Sequence, residues 1–401
     1  MASPAFPRVG LILTGGGARA AYQVGVLRAI AALLPERARN PFPVICGTSA
    51  GAVNATSLAL SALDFREGVA RLSAVWENAH VDQAYRSDPP GVLRNSLRLL
   101  STLLLGGKSE STPVSMLDSS PLSRLLEAHL PFHAIQHNIE SGVLHALGIT
   151  AWGYTSGQSV TFYQGAGSIV PWKRRRRIGV STRIGVEHLM ASSAIPILFP
   201  PIRINREYFG DGSMRQLAPL SPALHLGAER VLVIGVRKPP DTLPERMVVN
   251  APPTLAQIGG HILGSIFLDS LDVDLERLER INRTLQTFPE ALLRGSGMSL
   301  RQVESMVISP SVEIHEIAVH HAHTLPRTIR LLYRAIGALR HDGSSLLSYV
   351  LFEEPFCRAL IDLGYQDTMA QKSRILRFIG IEMGTGIIRD SPVAGVSPDG
   401  R

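Results

Sequence analysis

Cysteine is almost absent: Cys46 and Cys357 are the only two in 401 residues. Two thiols build no disulfide framework, and Cys46 lies in an apolar run that reads as a buried strand. Both are therefore expected to be reduced, as in a cytoplasmic protein. No apolar run reaches the 18 residues or so that a membrane-spanning helix needs, so any membrane contact is expected to be peripheral. The N-terminus, MASPAFPRVGLILTGGG, has no basic region leading into a long apolar stretch and a small-residue cleavage site. Its apolar piece, Val9 to Leu13, has the length of a strand, and no signal peptide is expected. Neither an H-E-x-x-H pattern nor clustered Cys and His spacing occurs, so no metal is expected, and no other cofactor. There is no internal repeat. Charged residues make up 18% of the chain and hydrophobic ones 45%, which excludes a disordered protein and suits a large buried core.

What is present is an excess of positive charge. Lys and Arg outnumber Asp and Glu by 40 to 33, a net +7, which favours an anionic partner, phospholipid or nucleic acid. Five basic residues in a row, Lys173 to Arg177, follow Trp172. They read either as a solvated loop or as a docking site for anionic phospholipid. No nucleic-acid recognition module accompanies them, so no nucleic-acid partner is expected. Residues 92–105, VLRNSLRLLSTLLL, read as an amphipathic helix, as core packing or as an element touching membrane or acyl chain.

Val9–Leu13 reads as a buried strand ending at Gly15-Gly16-Gly17, and residues 18–34 carry helical spacing. A second strand opens after Pro41 and Pro43 and runs to Ser49, where Ala50–Leu63 continues as a helix. Strand, helix, strand, helix predicts a parallel sheet covered by helices. Residues 147–163 alternate as a hairpin with Ser156-Gly157 near its turn. Residues 187–194 read as a short helix, Arg203 to Phe209 as a strand delivering Asp211-Gly212, and Val231–Val236 as another strand. Beyond Lys238 the chain turns proline-punctuated, then helical over 254–288 and 325–379. Residues 384–401 read as a disordered tail.

Three constellations carry chemistry. Gly47, Ser49 and Gly51 form a G-x-S-x-G frame between strand and helix, the pattern of a nucleophile elbow. Gly15, Gly16 and Gly17, directly after the first strand, can turn successive N–H groups into one concavity for an oxyanion. The same stretch, as Gly15-x-Gly17-x-x-Ala20, also satisfies a dinucleotide fingerprint. That reading wants an acidic residue at the end of the second strand, where Cys46-Gly47-Thr48 stand instead. Asp211-Gly212-Ser213 closes a strand, as an ordinary turn or as the partner of a nucleophile at the same sheet edge.

Taken in order, GGGARA (15–20), GTSAG (47–51), ASSAIPILFPP (191–201) and DGS (211–213) resemble the patatin-like phospholipases. The resemblance covers roughly residues 8–237, and the helical region beyond looks like that of bacterial members. It implies a three-layer α/β/α sandwich with a mostly parallel central sheet. The expected division is a catalytic domain over 8–237, a helical C-terminal extension over 238–383 and the tail. It further implies that Ser49 is the nucleophile, Asp211 its general base, and Gly15, Gly16 and Gly17 the oxyanion hole. Arg19, Gly47, Gly51 and Gly212 would support these loops. Ala20 and Ser213 stand where the family usually has glycine. The implied activity is hydrolysis of carboxylic esters in phospholipids or other lipids. A general esterase or acyltransferase, or a catalytically silent basic membrane-binding protein of the same fold, stands as the alternative. A Ser–His–Asp triad, with His225 or His261, is the competing arrangement to the dyad.

Overall fold

The computed structural model describes residues 7–91, 94–95, 97, 115–239, 252, 254–264, 270–288, 301–335, 337–339 and 343–381. The 92–105 helix falls almost wholly outside these residues, as does the 384–401 tail. Strand β1 (Val9–Leu13) leads into helix α1 (Ala21–Leu33), then β2 (Val44–Thr48) and α2 (Ala50–Leu60). Helices α3 (Phe65–Glu77) and α4 (Ser120–His129) precede the hairpin of β3 (Ala146–Gly153) and β4 (Ser159–Gly165). A second hairpin, β5 (Lys173–Arg174) and β6 (Arg177–Ser181), is followed by α5 (Val186–Ser192). Then come β7 (Ile202–Ile204), β8 (Glu207–Asp211), β9 (Arg230–Ile234) and β10 (Glu304–Ile308). Helices α6 (Ser344–Val350) and α7 (Glu354–Ala370) pack back onto the sheet's helical layer.

The ten strands among the described residues form one sheet, ordered β10-β9-β1-β2-β3-β4-β6-β5, with β8 beside β3 and β7 beside β8. The strands from β10 to β3 are mutually parallel. A parallel sheet is covered on both faces, so its strands must be apolar on both. Leu11, Leu13, Ile45, Leu147 and Ile149 accordingly face one core with α1, α2 and α7, while Ile12, Val44, Cys46, Val231 and Val233 face the other. Helix Ser270–Gln286 closes that second face with Leu271 and Leu278. The result is the three-layer α/β/α sandwich expected.

Two local expectations change. Arg203 to Phe209 is not one strand but the hairpin β7–β8, turning at Asn205 with a left-handed φ of 55°. Of the segment read as helical over 254–288, the described residues form the helices Leu255–Gly264 and Ser270–Gln286, and 265–269 lie outside them. The basic run, read as a solvated loop or a docking site, is an exposed edge hairpin in which Lys173 and Arg174 pair with Ile178 and Arg177.

The C-terminal part is helical over much of its described length, but it also lays β10 in parallel beside β9. Helix α7 crosses α1 so closely that a Cβ on Gly25 would collide with the Ile361 carbonyl, and one on Gly364 with the Tyr22 carbonyl. Glycine on each helix therefore lets the two backbones touch.

Candidate active site

Ser49 sits between β2 and α2 with φ 55° and ψ −132°, a left-handed conformation that costs a non-glycine residue strain. The chain leaves the strand and enters the helix within one residue, so nothing at the crossing can carry bulk. A Cβ on Gly47 would lie 2.6 Å from the Ala52 Cα, and one on Gly51 would lie 2.6 Å from the Thr14 carbonyl oxygen. The sharp elbow expected from G-x-S-x-G is thus present, and it buries Ser49 to 2% exposure.

The elbow is pinned by a residue whose role the sequence did not reveal. Ser192, at the end of α5 and fully buried, accepts the Ser49 N–H at 2.9 Å and donates its own hydroxyl to the Thr150 carbonyl at 2.6 Å. One hydroxyl therefore ties the Ser49 backbone to β3. Only the run 191–201 as a whole carried a signal; nothing in it singled out Ser192.

Asp211 ends β8, and the lengths of the strands explain how it reaches Ser49. The eight residues of β3 pair along one side with β2 up to Thr48↔Thr150, and then with β8 at Ala151↔Asp211. Asp211 is completely buried, and its Oδ1 accepts the Ser213 N–H at 2.9 Å. Its Oδ2 has no hydrogen bond of normal geometry. Burial pushes its pKa up to about 6, held back by hydrogen-bonding interactions with the Ser49 hydroxyl and with Ser213. A Cβ on Gly212 would collide with the Thr150 carbonyl, so glycine there lets β8 dock.

The glycine loop follows β1. Gly17 has φ 54°, and a Cβ there would collide with the Tyr349 carbonyl, so α6 packs directly on the loop. Arg19 points toward α6 as well. Its Nε donates to the Ser348 hydroxyl at 2.8 Å, its Nη2 to Ser345, and its guanidinium lies 4.0 Å from the centre of the Tyr349 ring. Burial lowers its pKa without removing its charge. A second network joins the loop to α2: Gln23 donates to the Thr14 carbonyl at 2.8 Å, and Asn54 bridges the Ala20 carbonyl, Gln23 and the Trp76 indole.

Ser49 and Gly17 open onto a cavity with room for about 140 Å³ of solvent. Its walls are apolar, with Leu72 and Trp76 from α3, Leu126 from α4, Met190 from α5, and Phe199 and Phe352 from loops. Neither histidine considered for a triad bonds Ser49 or Asp211. His225 bonds Ser221 and packs 4.8 Å from the Trp172 ring, and His261 lies in the Leu255–Gly264 helix. His80 and His129 line the cavity, but His80 pairs with Glu353 and His129 with the Leu125 carbonyl. Among the described residues, no histidine bonds Ser49 or Asp211, and no group of His, Cys, Asp or Glu could hold a metal. No helix among them is long and apolar enough to cross a membrane.

A patatin-like phospholipase profile matches residues 11–224, more than half the chain. No curated protein matches in sequence. Among solved structures, VipD from Legionella pneumophila is similar at 12% identity and TM-score 0.33, over 92% of this chain and 67% of that one. ExoU of the Pseudomonas aeruginosa type III secretion system, solved with SpcU, is similar at 15% identity and TM-score 0.25, over 93% and 80%. The profile spans the glycine loop, the serine elbow and Asp211 together, and the chain belongs to the patatin-like phospholipase family, a family of lipid hydrolases.

Proposed function

We propose that the protein hydrolyses carboxylic ester bonds of phospholipids through an acyl-enzyme on Ser49, with Asp211 as the general base. The observation that carries this reading is the burial of Asp211 beside a strained serine in the wall of an apolar cavity. A carboxylate in water is a poor base for a serine hydroxyl. Desolvation raises Asp211 to about 6, which brings it towards the working pH while leaving it ionised near neutrality.

In the first step Asp211 accepts the Ser49 proton as Oγ attacks the acyl carbonyl. The resulting oxyanion would lie against the N–H groups of Gly16 and Gly17, which are buried and bond no acceptor among the described residues. The N-terminus of α2, starting at Ala50, adds its positive end to the same place. Collapse expels the leaving alcohol, which takes the proton from Asp211. A water then gives a proton to Asp211 as it attacks the acyl-enzyme, and collapse frees the fatty acid as Asp211 returns that proton to Ser49 Oγ. The apolar walls suit the acyl chain, whose removal from water is favourable by about 0.8 kcal/mol per CH₂.

Labelling by a fluorophosphonate probe tests the reading. Wild-type protein should be labelled and Ser49→Ala should not. Folded wild-type protein that resists the probe and releases no fatty acid from phospholipid would overturn it.

A further inference from the structure

The basic hairpin is placed by register at the same edge of the sheet as the nucleophile. Ser159, the first residue of β4, pairs with Trp152 at the end of β3 on one side and with Arg177 at the start of β6 on the other. Its N–H donates to the Arg176 carbonyl at 2.9 Å. The turn Arg175-Arg176 therefore lies level with the end of β3, where Asp211 pairs with Ala151. Lys173 to Arg176 are exposed, and none of them forms an ion pair among the described residues. The hairpin β7–β8 runs past the same edge, with exposed Arg203 and Arg206 near its turn, and exposed Arg215 follows Asp211. Glu207 is the acid in this hairpin, and it is engaged by the Ser156 N–H.

Apolar side chains stand among these cations. Leu217 is 57% exposed, and Tyr208, in β8, is 41% exposed. Ile197 is 66% exposed and has φ 71°, a conformation that β-branched residues rarely adopt. It is held there by its carbonyl, which accepts the Met116 N–H at 2.8 Å, between Ile195 and Phe199 of the cavity wall. The strain aims an aliphatic side chain into solvent beside the cavity, where it gains nothing from water. Exposed cations together with exposed aliphatic side chains match a layer with anionic head groups above acyl chains.

We infer that this edge of the sheet, formed by Lys173–Arg177, Arg203, Arg206 and Arg215 with Ile197 and Leu217, docks on an anionic phospholipid surface. Docking there holds the cavity at the layer from which its substrate comes. The inference rests on the lipid-hydrolase reading for its purpose but not for its geometry. The two most exposed of these side chains, Ile197 and Leu217, are aliphatic and give a base no flat face, and Tyr208 is the one aromatic among them, which favours a lipid layer over a single-stranded nucleic acid as the occupant.

The test uses the full chain as Ser49→Ala, so that vesicles stay intact, in co-sedimentation with phosphatidylcholine vesicles with and without phosphatidylserine. Binding should require phosphatidylserine and fall with salt. Replacing Lys173, Arg174, Arg175 and Arg176 by serine should weaken it about fivefold per residue, on the order of a hundredfold or more together. In otherwise wild-type protein the same replacements should leave hydrolysis of a soluble short-chain ester unchanged, which also reports folding. Ile197→Ser, which relieves no charge, should weaken binding at every salt concentration. Equal binding to neutral vesicles, no binding to anionic ones, or tighter hairpin-dependent binding to RNA would overturn the inference. Docking without any hydrolysis of the soluble ester would instead overturn the hydrolase reading and leave the docking surface standing.

Discussion

Asp211 occupies the rung of the β-ladder that Ser49 vacates. Thr48 is the last residue of β2 to pair with β3, at Thr150, and the next residue of β3, Ala151, pairs with Asp211. Ser49 turns out of the ladder with φ 55°, and the end of β8 comes into line above β2. A carboxylate thus reaches a serine with no intervening histidine because two strand ends share one neighbour.

Asp211 should set both the pH dependence of turnover and a stability cost. With its pKa near 6, kcat/KM should fall about tenfold per pH unit below that value and level off above it. The folded pKa lies above the ordinary 3.8, so the folded state holds this proton more tightly than the unfolded chain. Stability from this group is therefore greatest below about pH 4 and declines as pH rises towards 6. Ionising it costs about 3 kcal/mol by linkage. Asp211→Asn should abolish turnover yet raise Tm at pH 7–8, with the gain shrinking as the pH is lowered to 4. Thermal denaturation across that range checks it; a lower Tm at pH 8 would contradict it.

Ser192→Ala should damage catalysis without touching substrate. It leaves the Ser49 N–H and the Thr150 carbonyl without their buried partner, at a cost of roughly 1–3 kcal/mol. The elbow should lose its fixed position, and kcat should drop about tenfold or more with little change in KM. Ser192→Thr, which keeps the hydroxyl, should recover part of the loss. Steady-state kinetics of the two variants decide it.

Gly364→Val should separate the C-terminal helices from the core. The new side chain meets the Tyr22 carbonyl of α1, which cannot move without shifting the loop that precedes it. Overpacking of this kind costs about 1–3 kcal/mol and sometimes more. Urea unfolding should show that loss. Fluorophosphonate labelling should also slow, because α6, next in the chain, braces Gly17. A variant with unchanged stability would show that the two helices can part freely.

Leu126→Trp should select against long acyl chains. The residue lines the cavity from α4, and a larger ring there would fill space that a chain needs. The kcat/KM for long-chain esters should fall by tenfold or more, with short-chain esters hardly affected. Loss of both alike would put the acyl group elsewhere. A side-by-side ester series measures it.

Much of the site was legible in the sequence because it rests on local sterics. Gly47 and Gly51 must be small for the turn at Ser49, and Gly17 must accept a positive φ; both requirements leave marks within a few residues. The strand Val9–Leu13 and the hairpin over 146–165 were equally visible through length and alternation. By contrast β10 reads ESMVI, short and half polar, and becomes a strand only because β9 offers it a free edge. The strand read over Arg203–Phe209 proved a hairpin because Asn205 supplies a left-handed turn that alternation does not show.

The sequence by itself therefore determined the sharp turn at Ser49, the glycine loop and the layered α/β architecture, and it singled out Asp211 as a candidate, since each depends on spacing that a chain carries wherever it folds. Only the tertiary structure decided what holds them. Arg19 meets Ser348 across 329 positions of chain, and Ser49 meets Ser192 across 143. Such partners are chosen by strand register and helix packing, which no local pattern encodes. The raised pKa of Asp211 belongs to the same class, because burial is a property of everything packed around a residue and not of the residue itself.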